Sequence, residues 1–487
     1  MCGIVGVVTN QPVNHLLYNA LKGVQHRGQQ AAGLATMNGN LMYLKKGIGL
    51  IKEVISNYDL SYLHGNIGIG HVRFPTAGSA DDPEQAHPFY VNSPFGIMLA
   101  HNGNLTNTKE LRDEVLYKNH RHVRTTSDSE VLTNAFAFEL QQATTDHSLN
   151  NSSIFAAIEN LNQRLRGGYA VVSMIADYGL VGFRDPFGIR PLVLGKKTAA
   201  DNFTSYMLAS ESCTLNSNGF EVIRDVNPGE AIIITKEGNF ESKICHPNPV
   251  LNICIFEYVY LARPDSVIEK IPVQLARQAI GKYLAQTIKT HYPNLDIDIV
   301  IPVPDIARTA AISVAKELNV PYQEGFVRNH LIDHEPQPQN SEQLQVTIQS
   351  MLSPIELEFK NKNILLVDAS IVRGTNSREI INIARHAGAK NIYFASAAPR
   401  IQYSSVYGID MPAYNALVAH DRTDSEVASV IGADLVIYQE LANLKKAITE
   451  LNPDIPGFEA SCFDGNYITN DIDDKYLLSL ANGVFHA

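Results

Sequence analysis

The rhythm of the chain changes at Pro247-Asn248-Pro249, and that change constrains the fold more than any other feature. Two prolines so close together interrupt regular strand pairing. Before them, from Cys2 to about Glu241, short apolar runs alternate with Gly and Asn turns: Gly3–Thr9, Ile67–Arg73, Gly96–Ala100, Ala170–Ile175, Leu180–Arg184 and Ala231–Thr235. Two stretches carry apolar residues at helical spacing instead, Val13–Val24 and Ser129–Leu140, the second behind a capping Ser127 or Asp128. That pattern predicts a stacked pair of mainly antiparallel sheets flanked by helices. Polar Thr144–Ser153 reads as a loop.

After the prolines, strands alternate with helices. The helices are expected at Pro272–His291, Ile306–Leu318, Ser377–Ala387, Ser425–Ile431 and Asn443–Glu450. The strands are expected at Ile297–Ile301, Ile364–Val367, Asn391–Ala397 and Leu435–Ile437. Such alternation predicts an α/β unit with a parallel sheet and crossover helices. A chain of 487 residues exceeds one ordinary core, so two domains are expected, 2–246 and 247–450, with an acidic C-terminal extension, 451–487, as a surface cover.

Hydrophobic residues make up 45% and charged residues 18%, a globular mixture that excludes large-scale disorder. The net charge of -11, with no long basic run, argues against nucleic acid or an anionic membrane as partner. No apolar run reaches the length of a membrane span and no basic-then-apolar signal opens the chain, so a cytoplasmic protein is expected. No internal repeat and no Walker loop are present. The five cysteines, Cys2, Cys213, Cys245, Cys254 and Cys462, are an odd number with no Cys-x-x-Cys pair, which argues against a disulfide framework.

The chain opens Met1-Cys2-Gly3-Ile4-Val5-Gly6. Removal of Met1 would leave Cys2 with both a thiol, of ordinary pKa about 8.5, and an α-amino group of about 7.7–8.0. One residue then holds a nucleophile and a base. The plain reading of such a residue is a small buried cysteine at a strand start. Three further stretches matter: Gly70–Gly78 with Arg73, Ala100–Leu105 with Asn102-Gly103, and Thr126–Glu130 with Ser127 and Asp128. Singly, these read as a surface charge, a hairpin turn and a helix N-cap. Together with Cys2 they meet the needs of glutamine hydrolysis. A guanidinium pairs with the substrate carboxylate, a carboxylate pairs with its ammonium, and an amide with a glycine N–H stabilises an oxyanion.

These stretches resemble the glutaminase domain of the N-terminal-nucleophile amidotransferases. Val24–Gln29 and Phe183–Leu192 narrow the resemblance to the glutamine phosphoribosylpyrophosphate amidotransferases, over nearly the whole chain. It implies an αββα glutaminase domain followed by a type I phosphoribosyltransferase domain. It makes Cys2 the nucleophile, Asn102 and Gly103 the oxyanion hole, and Arg73, Thr76 and Asp128 the glutamine-binding set. It also implies a homotetramer inhibited by purine nucleotides. Some members carry a four-cysteine iron–sulfur cluster; here Glu459-Ala460-Ser461-Cys462 offers one thiol where two would be needed, and no cluster is expected.

The second centre is Ile364–Ser377, an apolar strand ending in Asp368, a loop with hydroxyls and Gly374, then a helix. Backbone N–H groups at such a join can cradle a phosphate. Asn376 is expected to cap the helix, with Glu379 as its partner. The segment resembles the phosphoribosylpyrophosphate loop of type I phosphoribosyltransferases. The resemblance assigns Asp368 to the ribose hydroxyls and magnesium, and Ser370, Arg373, Gly374, Thr375 and Ser377 to the 5′-phosphate region. The family has a second acid where this chain has Ala369, and a hydroxyl residue where Ile306-Ala307 follows Pro302-Val303-Pro304-Asp305. In Arg328–Met351, the family's cationic lid, Arg328 is the only Arg or Lys, against Asp333, Glu335 and Glu342. Arg263 or Arg373 would have to compensate. These departures motivate a second reading, a divergent paralogue with an active glutaminase half and a silent or retargeted phosphoribosyl half.

Overall fold

The computed structural model describes residues 1–74, 82–144, 148–199, 202–329 and 341–481. Thr76 and residues 330–340 of the lid segment therefore lie outside the described residues.

Thirteen strands of the first half form two antiparallel sheets. They are β1 (Gly3–Val8), β2 (Ala31–Asn38), β3 (Leu41–Ile48), β4 (Ile67–Arg73), β5 (Phe89–Val91), β6 (Ile97–Leu105) and β7 (Gly167–Ile175). There follow β8 (Gly179–Arg184), β9 (Val193–Thr198), β10 (Thr204–Ala209), β11 (Glu221–Asp225), β12 (Glu230–Thr235) and β13 (Phe240–Ile244). One sheet runs β11-β9-β10-β1-β4-β2-β3, the other β13-β12-β8-β7-β6-β5. The period-2 alternation of side chains sorts the core. Ile4 and Val8 of β1 meet Ala170, Val172 and Met174 of β7 between the sheets. Val5 and Val7 point the other way, onto Leu17 and Leu21 of α1 (Asn14–Gly23). Tyr169, Val171 and Ile175 likewise face α2 (Asp128–Ala143) and α3 (Asn151–Arg164). The result is the αββα sandwich that the alternating runs predict.

Helix α3 corrects the sequence reading, which took Thr144–Ser153 as loop alone. The helix starts inside that stretch because Asn150 Oδ1 accepts from Ser153 N while Ser153 Oγ accepts from Asn150 N, a reciprocal cap made from polar residues.

The second half is built on a parallel sheet of β14 (Ile299–Pro302), β15 (Asn363–Asp368), β16 (Asn391–Ser396) and β17 (Leu435–Tyr438), in that order. Its strands are apolar on both faces because both are covered. Helices α4 (Val273–His291) and α5 (Arg308–Leu318) cover one face, and α6 (Thr375–His386) and α7 (Asp424–Ile431) the other. After β17 comes α8 (Leu441–Thr449). The C-terminal stretch is more than a cover. Gly457–Glu459 pairs in parallel with Asn252–Cys254, and Phe458, Cys462 and Phe463 are buried beside Phe256 and Leu444.

Candidate functional site

Cys2 precedes β1 at its buried end, where β4 pairs alongside and brings Arg73 close. Its Sγ lies 3.5 Å from the Phe74 carbonyl oxygen. Its backbone N donates to Asn102 Oδ1 at 3.2 Å, and that nitrogen becomes the α-amino group once Met1 is removed. With Met1 in place, the terminal amine has its pKa lowered to about 6, first by burial and then by Arg27 and Arg190, against the raising effect of Cys2 and Asp410. The pocket favours a neutral amine.

Asn102 is fully buried on β6, and among the described residues its Nδ2 has no hydrogen-bond partner. Orphaned buried donors are costly, and they concentrate where a ligand supplies the acceptor. Gly103 follows at φ +147°, and a Cβ there would stand 1.9 Å from the Gly168 carbonyl oxygen, so the strand admits only glycine. The Asn-Gly pair is therefore in mid-strand, paired to β7, and is not a hairpin turn.

Asp128 opens α2, where the helix dipole favours a negative charge. Its Oδ2 accepts from Leu105 N at 3.1 Å and its Oδ1 from Ser129 Oγ at 3.1 Å. His101 Nδ1 lies 3.0 Å from Ser129 Oγ, so the carboxylate is held on two sides. Arg73 is buried, with Nη2 donating to Gln85 Oε1 at 3.2 Å. Burial lowers its pKa, while Cys2, Asp128 and Asp82 act on it as nearby negative charges. The structure thus gathers Cys2, Arg73, Asn102, Gly103 and Asp128 at one end of the sandwich.

Sequence reasoning did not assign roles to the groups behind this site. Arg27 Nε donates to the Cys2 carbonyl at 3.1 Å, and its Nη atoms reach Glu211 and Glu257. His71 and His87 stack 4.0 Å apart, and burial holds both rings well below their ordinary pKa. The only early signal for Arg27 was its place in Val24–Gln29, which carried no role.

The second centre sits at the carboxyl end of β15. Asp368 accepts from Ala369 N at 2.7 Å, and burial pushes its carboxyl up to about 7. Gly374, at φ +75°, is the N-cap of α6, so Thr375 opens the helix. This corrects the expected cap at Asn376. The αL turn at Gly374 starts the helix earlier than a side-chain cap would. Ser377 is buried in the first turn, whereas Arg373 is exposed. Ala369 and Ala307 present buried methyl groups at this end of the sheet. Asp305 is engaged by Arg308 Nη1 at 2.9 Å and Arg328 Nη1 at 3.4 Å. Among the described residues, no three His, Cys, Asp or Glu side chains group closely enough to hold a metal. No helix of the described residues is long and apolar enough to cross a membrane.

An antiparallel sandwich with Cys2 buried before its first strand, joined to a parallel sheet whose second strand ends at Asp368 before a loop and helix, is the frame of a two-centre glutamine amidotransferase. Residues 72–217 match the glutamine amidotransferase domain family. The chain is 50% identical to the amidophosphoribosyltransferase of Escherichia coli strain K12, over 98% of this chain and 94% of that protein. It is 46% identical to the Saccharomyces cerevisiae amidophosphoribosyltransferase, over 99% and 94%. It superposes on a solved structure described as glutamine phosphoribosylpyrophosphate amidotransferase from B. subtilis complexed with ADP and GMP. That match has a TM-score of 0.84 and 33% identity and covers 97% of this chain and 98% of that one. The chain belongs to the amidophosphoribosyltransferase family. It is an enzyme, a glutamine amidotransferase and pentosyltransferase.

Proposed function

We propose that the chain hydrolyses glutamine at Cys2 and passes the ammonia to phosphoribosylpyrophosphate at the Asp368 loop. The products are 5-phosphoribosylamine, glutamate and pyrophosphate, and the reaction is the first step of de novo purine synthesis. Once Met1 is gone, the Cys2 amine takes the thiol proton and Sγ attacks the amide carbon of glutamine. Asn102 Nδ2 and the Gly103 N–H receive the oxyanion. The protonated amine returns its proton to the departing ammonia, leaving a thioester that water opens to glutamate. Arg73 and Asp128, with Thr76, hold the carboxylate and ammonium of the substrate. The observation that carries this reading is the buried, unpartnered Asn102 Nδ2 beside a cysteine whose own nitrogen bonds the same amide.

At the second centre the loop after β15 and the first turn of α6 hold the 5′-phosphate, through Ser370, Arg373 and Gly374 of the loop and Thr375 and Ser377 of the helix. Asp368 takes the ribose hydroxyls. Magnesium binds mostly through substrate oxygens and one or two carboxylates, and Asp368, which among the described residues accepts one hydrogen bond, from Ala369 N, fits that role alone. Such an ion would supply charge for the leaving pyrophosphate. Ammonia then displaces pyrophosphate from the sugar.

Inhibition by purine nucleotides and a homotetramer belong to the same proposal, as does a cytoplasmic location. The first draws on the B. subtilis relative described with ADP and GMP. The reading of a silent phosphoribosyl half rests on Ala369, Ala307 and the acidic lid. Relatives matching over nearly the whole chain favour the two-centre reading instead. The test is steady-state turnover of the Met1-processed protein. Cys2→Ala should abolish glutamate release yet keep ammonia-dependent pyrophosphate release. Pyrophosphate release absent with both glutamine and ammonia would return the second reading.

A further inference from the structure

Arg27 lies in the stretch Val24–Gln29, which the reaction above leaves without a task. Its guanidinium is buried and makes five charged or polar contacts, one of them from Nη2 to Met1 Sδ at 3.2 Å, which goes when Met1 is removed. Nε donates to the Cys2 carbonyl at 3.1 Å, Nη1 to Glu211 at 2.6 Å and to Glu257 at 3.0 Å, and Nη2 to Glu257 at 2.8 Å. Glu257 is itself fully buried. It opens the turn Glu257–Leu261, which lies beyond the prolines of the linker, in the second half of the chain. The same turn carries Tyr260, on which Asp368 acts as a neighbouring negative charge. A planar five-donor fork is suited to this kind of bridging, and a lysine cannot reproduce it.

We propose that Arg27 is a positioning residue for the Cys2 nucleophile, anchored across the chain by Glu257, so that the second half of the protein sets the orientation of the Cys2 backbone. The inference rests on the glutaminase reading given above. Holding the carbonyl fixes the plane that follows the Cys2 Cα, and with it the directions of Sγ and the α-amine. Misplacement of a reacting group by about 1 Å is enough to cost on the order of 100-fold in rate. The contact also places a fixed positive charge by the base. With Met1 attached, the groups acting on the terminal amine are Arg27, Arg190, Asp410 and the Cys2 thiol, with His71 and Arg73 of β4 close by; the Cys2 nitrogen lies one residue further in, between Asn102 Oδ1 and the carbonyl that Arg27 holds. Cations disfavour the ammonium form and keep the amine competent to accept a proton at neutral pH. Glu257 moderates that field, since it pairs with Arg27 and lies 3.8 Å from Arg190.

Position and charge separate in two variants of the full-length, Met1-processed protein, assayed as glutamate release from glutamine across pH. Arg27→Lys keeps the charge and loses the fork. It should lower kcat at least about tenfold, with KM little changed and the acidic limb of kcat/KM unmoved. Glu257→Gln removes a negative charge beside Arg27. It should move that limb downward by about 1 pH unit, because the amine then loses its proton more readily. A kcat unchanged in Arg27→Lys overturns the proposal. So does a Glu257→Gln protein with a lowered melting temperature and an unmoved limb, which is what a purely structural ion pair would give. If either protein fails to fold, Arg27→Met with Glu257→Gln replaces the pair by neutral groups of similar volume. Its kcat should fall with the limb unmoved, and an undiminished kcat overturns the proposal. Activity persisting in Cys2→Ala would instead sink the glutaminase reading itself, a different outcome from any of these.

Discussion

Asn102 divides its work between two atoms. Oδ1 accepts from the Cys2 nitrogen at 3.2 Å, and Nδ2 waits, buried and unpartnered, for an acceptor. In the free protein that second atom is a cost, since an unsatisfied buried donor is worth about 1–3 kcal/mol. Its use comes only when charge develops on the substrate oxygen. Asn102→Ala should therefore lower kcat for glutamine hydrolysis by roughly 100- to 1,000-fold. KM for glutamine should change little if, as proposed, Arg73 and Asp128 hold the other end of the substrate. Steady-state kinetics with glutamine checks the split, and a KM effect larger than the kcat effect would assign Asn102 to ground-state binding.

At the scale of elements, the β15-loop-α6 unit shows what one side chain decides. The loop places Asp368 at the strand end and Gly374 at the helix start, whatever residue 369 is. Ala369, buried and methyl-sided, offers no second oxygen to a cation. Ala369→Asp should tighten magnesium-dependent binding of phosphoribosylpyrophosphate about tenfold, one charge-assisted contact of roughly 1.5 kcal/mol. Without magnesium, two adjacent carboxylates should repel and the gain should vanish. Titration calorimetry with and without the metal reads both. This unit was legible in the sequence because an apolar run, a carboxylate and a glycine turn are local signals. So was the αββα layering, through period-2 runs such as Ile4–Val8. Helix α3 was not, since its start is written in Asn150 and Ser153, polar residues that also suit a loop. The bond from Arg27 to Glu257 spans 230 positions, and the stack of His71 on His87 joins β4 to the connection that leads into β5. No periodicity encodes contacts of that kind; only the fold brings them together. Thr76 was assigned by resemblance and lies outside the described residues.

Across the whole molecule, the halves are joined by buried charge as well as by apolar packing. Arg184 of β8 reaches Glu269 at 2.8 Å, and Asp225 of β11 accepts from Glu269 N at 3.0 Å. Among the described residues Asp225 Oδ1 has no partner, and burial together with Glu269 raises its carboxyl to about 7. The sign follows from proton counting. Between the ordinary value near 3.8 and about 7, the folded protein binds a proton at Asp225 that the unfolded chain releases. Stability from this group is therefore present at low pH and lost as pH rises through that window. Asp225→Asn removes the dependence, so the variant should melt higher than the parent at pH 8, by on the order of 2 °C, with the gap closing by pH 4. Differential scanning calorimetry at the two pH values checks it.

A second joint lies at the oxyanion strand. Gly408, at φ +98°, packs so closely that a Cβ there would stand 2.6 Å from the Gly103 carbonyl carbon, and Asn104 Nδ2 donates to the Val406 carbonyl at 2.9 Å. Two backbones are thus in direct contact, with no side chain to yield between them. A methyl group at 408 has to displace Gly103, and Gly103 cannot move toward Gly168 because the strand pair there is already closed. Gly408→Ala should therefore cut glutamine-dependent turnover by about tenfold or more through the shifted oxyanion hole, as displacements of this size do. Ammonia-dependent turnover, which bypasses Cys2, should fall by less, since the methyl group meets Gly103 and reaches the Asp368 loop only through Asp410 beside Arg373. Equal losses with both nitrogen sources would mean that the contact supports the fold of the second half, and that the two centres do not meet at this glycine pair.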